Sequence, residues 1–227
     1  MNTPDQKEAV REKYDSLAAR YDWQFLALEI MGVHRLRRGL LSHARGEVLE
    51  VAVGTGINLP HYPPGCRLTA LDYSPGMIGR AKGRARRIGV GANFLLMDAE
   101  RLTFHDGSFD TVVSTLSTGT FPDPVAAMRE MGRVLRPGGI ILLLEQGYGD
   151  RCWVRALQDM RARRQFELFG CRWEREPDRQ AMEAGLRIEE NRRYFLGCIH
   201  AMRLRGGESS GEASPTAEPP RPVAEPA

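Results

Sequence analysis

Two closely spaced glycines, Gly54 and Gly56, follow the short apolar run V-L-E-V-A-V at residues 48–53. Glycines placed directly after a strand let the backbone come close to a nucleotide-like ligand. A dinucleotide fingerprint needs a third glycine at position 59, where this chain has Leu59. The sequence also lacks the glycine-lysine pair of a phosphate-binding P-loop. The loop therefore argues against a pyrophosphate ligand and is not a P-loop.

Three acidic residues follow the same pattern as the glycine loop, because each ends a predicted strand. Glu50 ends the first strand, Asp72 ends the second and Asp98 ends the third. A carboxylate at position 72 can accept hydrogen bonds from both ribose hydroxyls of an adenosine, and one at position 98 can accept from the exocyclic amine of adenine. Acids at successive strand ends suit a cationic ligand with a ribose and an adenine, and they suit phosphates poorly. S-adenosylmethionine, with its sulfonium, fits this description.

The elements that position these residues alternate between strand and helix along the chain. Such alternation predicts a doubly wound α/β sheet with mostly parallel strands. The predicted strands cover residues 47–53, 67–73, 92–98, 108–116 and 139–147, with two closing strands at 186–191 and 197–205. The predicted helices cover residues 6–30, 31–44, 74–87, 123–136 and 151–168. Three arginines of the second helix, Arg35, Arg37 and Arg38, are expected on its outer side.

The composition is that of a folded domain, with 42% hydrophobic and 27% charged residues in a chain of 227. We predict one domain over residues 1–205. Residues 206–227 contain five prolines and four glutamates, and they offer too little apolar surface to fold, so we predict a disordered tail. No apolar run reaches the length of a membrane span, and the polar N-terminus is unlike a signal peptide. Four scattered cysteines without a C-x-x-C pair predict a reduced, cytoplasmic chain without a metal site.

Four stretches of the sequence carry a family resemblance. They are Y-D-S-L-A-A-R-Y-D, V-L-E-V-A-V-G-T-G, F-L-L-M-D-A-E-R-L-T-F-H-D-G-S-F-D and M-R-E-M-G-R-V-L-R-P-G-G. With them, residues 10–150 resemble a class I S-adenosylmethionine-dependent methyltransferase. The nearest group is similar to the ubiquinone/menaquinone C-methyltransferases (methyltransferase type 11) and the small phosphatidylethanolamine N-methyltransferases. One position departs from the family pattern: Ala52 stands where the family usually has a glycine, and the loop tolerates alanine there if φ stays negative.

The resemblance implies a Rossmann-like, seven-stranded, mostly parallel sheet flanked by helices, with the cofactor held at the strand ends. The implied cofactor-binding residues are Tyr14, Tyr21, Glu50, Gly54, Gly56, Asn58, Asp72, Tyr73, Asp98, Ala99, Ser114 and Thr115. Asp72 would hold the ribose, while Ser114 and Thr115 would line the side of the sulfonium. Tyr14 and Tyr21 are seven residues apart, so we expect them on one face of a single helix that closes over the cofactor.

The sequence leaves the catalytic residue unknown and the acceptor open. A general base is needed only if the acceptor must lose a proton, and no Ser/His/Asp or Cys/His pairing stands at motif spacing. We expect a small or lipophilic acceptor, namely a phospholipid amine, a quinone-like ring or a thiol, methylated by in-line transfer. Two alternatives stay open. One is an RNA or protein methyltransferase, with nucleic acid disfavoured because no nucleic-acid-binding module is appended. The other is a non-catalytic protein of the same fold that binds a partner.

The segment 151–164 contains five arginines in fourteen positions. It predicts either a solvated helix face or a basic amphipathic helix with Trp153, Val154, Leu157 and Met160 on the opposite side. The second interpretation predicts peripheral contact with an anionic membrane and a lipid acceptor that enters from it.

Overall fold

The computed structural model of the chain describes residues 3–207. The predicted disordered tail lies outside them from residue 208 onward, and its disorder stays a prediction. In the described part the helices are α1 (Thr3–Leu17), α2 (Tyr21–Leu28), α3 (His34–Leu41), α4 (Pro75–Ile88), α5 (Pro124–Val134), α6 (Cys152–Phe169) and α7 (Pro177–Glu183). The strands are β1 (Glu47–Val51), β2 (Arg67–Asp72), β3 (Ala92–Leu96), β4 (Phe109–Thr115), β5 (Leu135–Gln146), β6 (Arg187–Tyr194) and β7 (Ile199–Arg205).

Within residues 3–207 the seven strands form one sheet in the order β3-β2-β1-β4-β5-β7-β6. All neighbours are parallel except β7, which runs antiparallel to β5 and β6. The prediction of a seven-stranded, mostly parallel, doubly wound sheet is confirmed. Val51 of β1 pairs with Leu71 of β2 and with Ser114 of β4, so these three strands end at one level. The strand order reverses between β1 and β4, which is where ligands bind in open α/β sheets.

The core lies on both faces of β5, as a central strand of a parallel sheet requires. Leu142 and Leu144 pack into the cluster that contains Leu40 and Leu41 of α3. Ile141 and Leu143 face the opposite side, where they join the methionines of α5. Side chains of a strand alternate between its two faces, so this continuous apolar run anchors helices on either side of the sheet.

The N-terminal helices differ from the prediction. The single helix expected over residues 6–30 is wrong, because α1 ends at Leu17 and α2 begins at Tyr21. A π-helical turn at Glu29–Val33 then joins α2 to α3. Its Gly32 has a φ of 126°, which a regular helix cannot accommodate, so the helix expected over 31–44 starts later. The apolar spacing from Val10 to Phe25 that predicted one helix continues across the break between α1 and α2.

The boundary between α5 and β5 also differs from the prediction. The helix expected to continue to residue 136 ends at Val134, and β5 begins directly at Leu135. Leu135 pairs with Phe109 of β4, and this long-range ladder contact extends the strand four residues before its expected start at 139. Local sequence alone does not reveal such a pairing.

Candidate functional site

A cleft with a cavity volume of about 100 Å³ opens at the carboxyl ends of β1, β2 and β4. Ala52 and Gly54 of the glycine loop line it, as do Asp72 and Asp98. Further residues that line it are Lys7, Val10, Arg11, Tyr14, Tyr21, Leu71, Tyr73, Ser74, Met77, Met97, Ala99, Glu100, Thr115, Leu116, Ser117, Thr120, Phe121 and Pro122. The two aspartates that the sequence placed at strand ends therefore share one cleft with the glycine loop.

Asp72 holds the glycine loop in place. Its Oδ2 accepts a hydrogen bond from the backbone amide of Gly54 at 2.8 Å, and its Oδ1 accepts one from the amide of Ser74 at 2.9 Å. Burial raises the pKa of the Asp72 carboxyl to about 6, against the lowering effect of these backbone hydrogen bonds. Each carboxylate oxygen has a second lone pair, so the group can still accept hydrogen bonds from a ligand in the cleft.

The two glycines of the loop have different surroundings. At Gly54 no atom of the described residues lies within 4 Å of the place a Cβ would take, so a ligand can come close to the backbone. A Cβ at Gly56 would lie 2.8 Å from Leu59 Cδ1 and 3.2 Å from Ala81 Cα. Gly56 thus allows the loop to pack on α4, and it does not line the cleft.

Ala52 adopts a left-handed conformation, although the loop was expected to tolerate alanine here only at a negative φ. Its φ is 55°, so the condition of a negative φ is not met. This conformation costs a non-glycine residue about 1–2 kcal/mol. The next residue is held firmly, because the amide of Val53 donates to the carbonyl of Leu71 at 2.9 Å.

Asp98 forms an ion pair that was not predicted from the sequence. Lys7 of α1 lies 2.5 Å from Asp98 Oδ2 and 2.6 Å from Glu100 Oε2. Tyr73 and Ala99 line the same end of the cleft. The lysine thus ties α1 to the end of β3, across a separation of 91 residues that no local pattern could bridge.

Tyr14 and Tyr21 line the cleft from two helices rather than from one. Tyr14 belongs to α1 and Tyr21 is the first residue of α2, and the break between these helices brings their ring centroids to 6.1 Å. The expectation of a single helical face is wrong, while both rings do line the cleft. Asp15 fixes α1 there, because it accepts hydrogen bonds from Ser74 Oγ and from the amide of Gly76.

The end of β4 separates Ser114 from Thr115. Thr115 lines the cleft, whereas Ser114 is fully buried behind it and hydrogen-bonds to Ser117. Ser117, three residues further along the chain, lines the cleft instead. Behind it lies Glu145, at the end of β5, which accepts from the amides of Ser117 and Thr118 at 3.1 and 3.2 Å. Burial raises the pKa of the Glu145 carboxyl to about 7.

Next to the cleft is a smaller pocket, which we call the side pocket. It is lined by Tyr21, Phe25, Glu29, Arg37, Ala52, Val53, Gly54, Thr55, Ile57, Asn58, Thr115 and Leu116. Arg37 was expected on the outer side of its helix together with Arg35 and Arg38, and for Arg37 this is wrong. Its residue is only 4% exposed, because it lies on the helix face that also buries Val33 and Leu41. Arg35 and Arg38 are exposed.

Glu50 and Asn58 lie behind and within the side pocket. Asn58 Nδ2 donates to Glu50 Oε1 at 2.7 Å and to Thr115 Oγ1 at 3.0 Å. Glu50 does not line either pocket, and burial raises the pKa of its carboxyl to about 7. The structure therefore places Asn58 where a ligand can reach it and Glu50 one layer deeper.

The basic segment forms α6, with its apolar residues divided between two faces. Val154 is buried, whereas Trp153 is 63% and Met160 is 74% exposed. Among residues 3–207, no helix combines the length and the apolar character needed to cross a bilayer. In the same part of the chain, no three His, Cys, Asp or Glu side chains come together as a metal site would require.

Comparisons with known proteins agree with this geometry. A family model described as a methyltransferase domain matches residues 49–143. The chain is 34% identical over 159 residues to a phosphatidylethanolamine N-methyltransferase from Cereibacter sphaeroides, covering 69% of this chain and 77% of that protein. It is 37% identical over 149 residues to a demethylmenaquinone methyltransferase from Deinococcus radiodurans, covering 62% of this chain and 61% of the relative.

Two further comparisons concern length and fold. The mitochondrial methyltransferase OMS1 of Saccharomyces cerevisiae is 28% identical over 213 residues, which cover 84% of this chain but 45% of the yeast protein. The chain thus spans about half the length of that relative. A solved S-adenosylmethionine-dependent methyltransferase from Methanosarcina mazei superposes with a TM-score of 0.58 at 23% identity, covering 72% of this chain and 93% of that one. At this identity the likeness establishes the fold.

Proposed function

Because this chain belongs to the family of S-adenosylmethionine-dependent methyltransferases, we propose that it transfers a methyl group from that cofactor to a small or lipophilic acceptor. The observation that supports the proposal is the shared cleft, which Asp72 and Asp98 line together with the open backbone at Gly54. When bound, S-adenosylmethionine supplies a methyl group on a positively charged sulfur, which the acceptor displaces in line.

The residues of the cleft fit this cofactor. Asp72 is buried and has lone pairs left for ribose hydroxyls after it has accepted from two backbone amides. Asp98 and Ala99 would hold the adenine amine, and Tyr73 would flank the ring. Thr115 would line the side of the sulfur, together with Ser117 rather than Ser114. Both cations that line the cleft are paired with carboxylates, Lys7 with Asp98 and Glu100 and Arg11 with Glu8 and Asp15, so neither presents an unbalanced positive charge to a sulfonium.

The protein contributes alignment and the exclusion of water. Tyr14 and Tyr21 line the cleft with their rings, and burial raises the pKa of the Tyr14 hydroxyl well above its usual value. Holding two reactants in line in such a site can contribute about 7–11 kcal/mol to the lowering of the barrier.

The acceptor class is inferred from the lining of the cleft and from the relatives. The apolar side chains that line the cleft include Val10, Leu116 and Phe121, and apolar lining favours lipophilic ligands. The two relatives are named for a phospholipid amine and for a menaquinone precursor. We propose the same range for this chain: a phospholipid amine, a quinone-like ring or a thiol.

One observation favours a second candidate, a non-catalytic protein that binds a partner through the same fold. Ala52 occupies the left-handed conformation where the family usually has glycine, and its methyl group lines both pockets. If that methyl group blocked the cofactor, the fold would remain but the activity would be lost.

Two measurements on the full chain test the proposal. Titration calorimetry with the demethylated product, S-adenosylhomocysteine, should show binding, and absence of binding would favour the second candidate. Transfer of label from S-adenosylmethionine should then be measured to phosphatidylethanolamine vesicles, a demethylated quinone and a small aromatic thiol, with total RNA and a protein extract beside them. Transfer to one of the first three supports the proposal, whereas transfer to RNA or protein alone would overturn the acceptor class.

A further inference from the structure

The side pocket contains a buried ion pair whose chemistry the proposed function has not used. Arg37 Nη2 lies 2.8 Å from Glu29 Oε1, and the two side chains are 5% and 16% exposed. Both residues line the side pocket, which shares Tyr21, Ala52, Gly54, Thr115 and Leu116 with the cleft. A cation and an anion therefore stand side by side in a pocket that continues the cleft past the glycine loop.

Arg37 is incompletely satisfied by the protein. Its Nη1 donates to Asn58 Oδ1 at 2.8 Å and to Thr115 Oγ1 at 2.5 Å, and its Nη2 donates to Glu29. A guanidinium has five N–H groups, so the Nε hydrogen and one Nη2 hydrogen remain, and Nε has no partner among the described residues. Nε and Nη2 lie on the same edge of the guanidinium, and a carboxylate can accept hydrogen bonds from such an edge in bidentate fashion.

The surroundings of the pair leave further hydrogen-bonding capacity for a polar ligand. Thr115 Oγ1 accepts from both Arg37 and Asn58, so its hydroxyl proton is free to be donated. Glu29 begins the π-helical turn that contains Gly32, and such turns are frequent at functional sites. An unpaired buried donor is costly to retain in a fold, which a ligand carboxylate would offset.

We propose that Arg37 and Glu29 bind the amino-acid end of the cofactor, with Arg37 on the carboxylate and Glu29 on the ammonium. This inference rests on the proposed function, because it assigns the side pocket to the end of the same ligand. A zwitterion matches the pair in charge, so its arrival exchanges one ion pair for two and leaves no charge unbalanced. This balance of charge is important because a buried charge without an oppositely charged partner is strongly unfavourable.

If Arg37 contacts the amino-acid end, only ligands that carry this end should lose affinity when Arg37 is replaced. S-adenosylhomocysteine carries the amino-acid end, whereas 5′-methylthioadenosine has the same adenosine and thioether but lacks that end. The wild-type chain should bind S-adenosylhomocysteine more tightly. Arg37→Met should weaken its binding by about 10- to 100-fold, the range for hydrogen bonds to charged groups. The affinity for methylthioadenosine should change less than about 3-fold, well within one such hydrogen bond.

The experiment is titration calorimetry of both ligands with wild type, Arg37→Met, Arg37→Lys and Glu29→Gln, after a thermal melt has shown that each variant is folded. Arg37→Lys should retain only part of the affinity, because lysine keeps the positive charge but lacks the paired N–H groups that bind a carboxylate in bidentate fashion. Equal losses for both ligands would identify a purely structural ion pair and overturn the proposal. If Arg37→Met does not fold, Glu29→Gln decides by the same comparison.

A wild-type chain that binds neither ligand would contradict the proposed function. A wild-type chain that binds both ligands equally well would leave the proposed function intact and overturn the role of Arg37 and Glu29.

Discussion

The backbone amide of Gly54 donates a hydrogen bond to Asp72 Oδ2 at 2.8 Å, which couples the loop after β1 to the end of β2. This contact makes Asp72→Asn an informative change. The side-chain NH2 group of an asparagine would face the backbone N–H of either Gly54 or Ser74, so two donors would oppose each other. The substitution would also remove the negative charge that can accept hydrogen bonds from ribose hydroxyls. We expect the affinity for S-adenosylhomocysteine to fall by at least about 10-fold, measured by calorimetry.

Stability should respond much less than binding to Asp72→Asn. Burial raises the pKa of this carboxyl from 3.8 to about 6, so above pH 7 ionisation opposes folding by about 3 kcal/mol. The opposed amides cost about 1–3 kcal/mol, and the two effects nearly cancel. Urea unfolding at pH 8 checks this. A large loss of stability with unchanged affinity would mean that Asp72 serves the fold alone.

The pair Ala52 and Gly54 offers a matched test of backbone strain. Both are left-handed, with φ values of 55° and 56°. Ala52→Gly removes about 1–2 kcal/mol of backbone strain, while the greater freedom of glycine in the unfolded chain costs about 0.4–1 kcal/mol. The free energy of unfolding should therefore rise by up to about 1.6 kcal/mol. Gly54→Ala should lower it, and its new methyl group should also weaken cofactor binding. Urea unfolding and calorimetry measure both effects; destabilisation by Ala52→Gly would contradict the strain.

The sequence predicted the sheet and its three acidic strand ends because both depend on a simple rule. Parallel strands of similar length end at one edge, so the residues that follow them meet in space. Asp72 and Asp98 obey this rule, and they do line one cleft. Thr115 follows from it as well, since β4 pairs with β1 in register.

The alignment of parallel strand ends does not predict which side chains of the helices reach the site. Arg37 looked like an outer residue because three nearby arginines suggested a solvated face, yet its position beside Val33 and Leu41 turns it inward. Lys7 meets its partners across 91 residues of sequence. Glu145 alone could have been recognised from local sequence, because it is an acid that directly follows the apolar run I-I-L-L-L of β5.

Glu145 should make stability depend on pH. Its pKa rises from 4.5 to about 7 because burial disfavours the charged form. The protonated carboxyl therefore favours the folded state below pH 4.5, and this contribution is lost as the pH rises through 7. For this group alone the loss is about 3 kcal/mol. Glu145→Gln keeps an acceptor for the amides of Ser117 and Thr118 and cannot ionise, so the fall in stability between pH 5 and pH 8 should shrink by about that amount.

Urea unfolding at pH 5, 6.5 and 8 measures the effect of Glu145→Gln. Glu50 and Asp72 also have raised pKa values, so part of the slope should remain in the variant. Glu189→Gln is the control, because the hydrogen bond from Arg205 lowers the pKa of this surface carboxyl and its removal cannot reduce a decline between pH 5 and pH 8. An unchanged slope in Glu145→Gln would show that the carboxyl is already ionised at pH 5.

Trp153 and Met160 form an exposed apolar stripe on α6, because residues seven apart lie on one helix face. Arg164, also exposed, continues the same stripe. If the stripe contacts an anionic membrane, the double change Trp153→Ser and Met160→Ser should reduce binding to phosphatidylglycerol-containing vesicles by about 10-fold or more. Wild-type binding should also weaken as salt is added, because salt screens the arginines. Co-sedimentation with loaded vesicles measures both effects.

Met182→Ser on α7 is the control, since Met182 is 59% exposed but lies outside α6. Equal losses in the control, or no wild-type binding at low salt, would leave α6 as a solvated face.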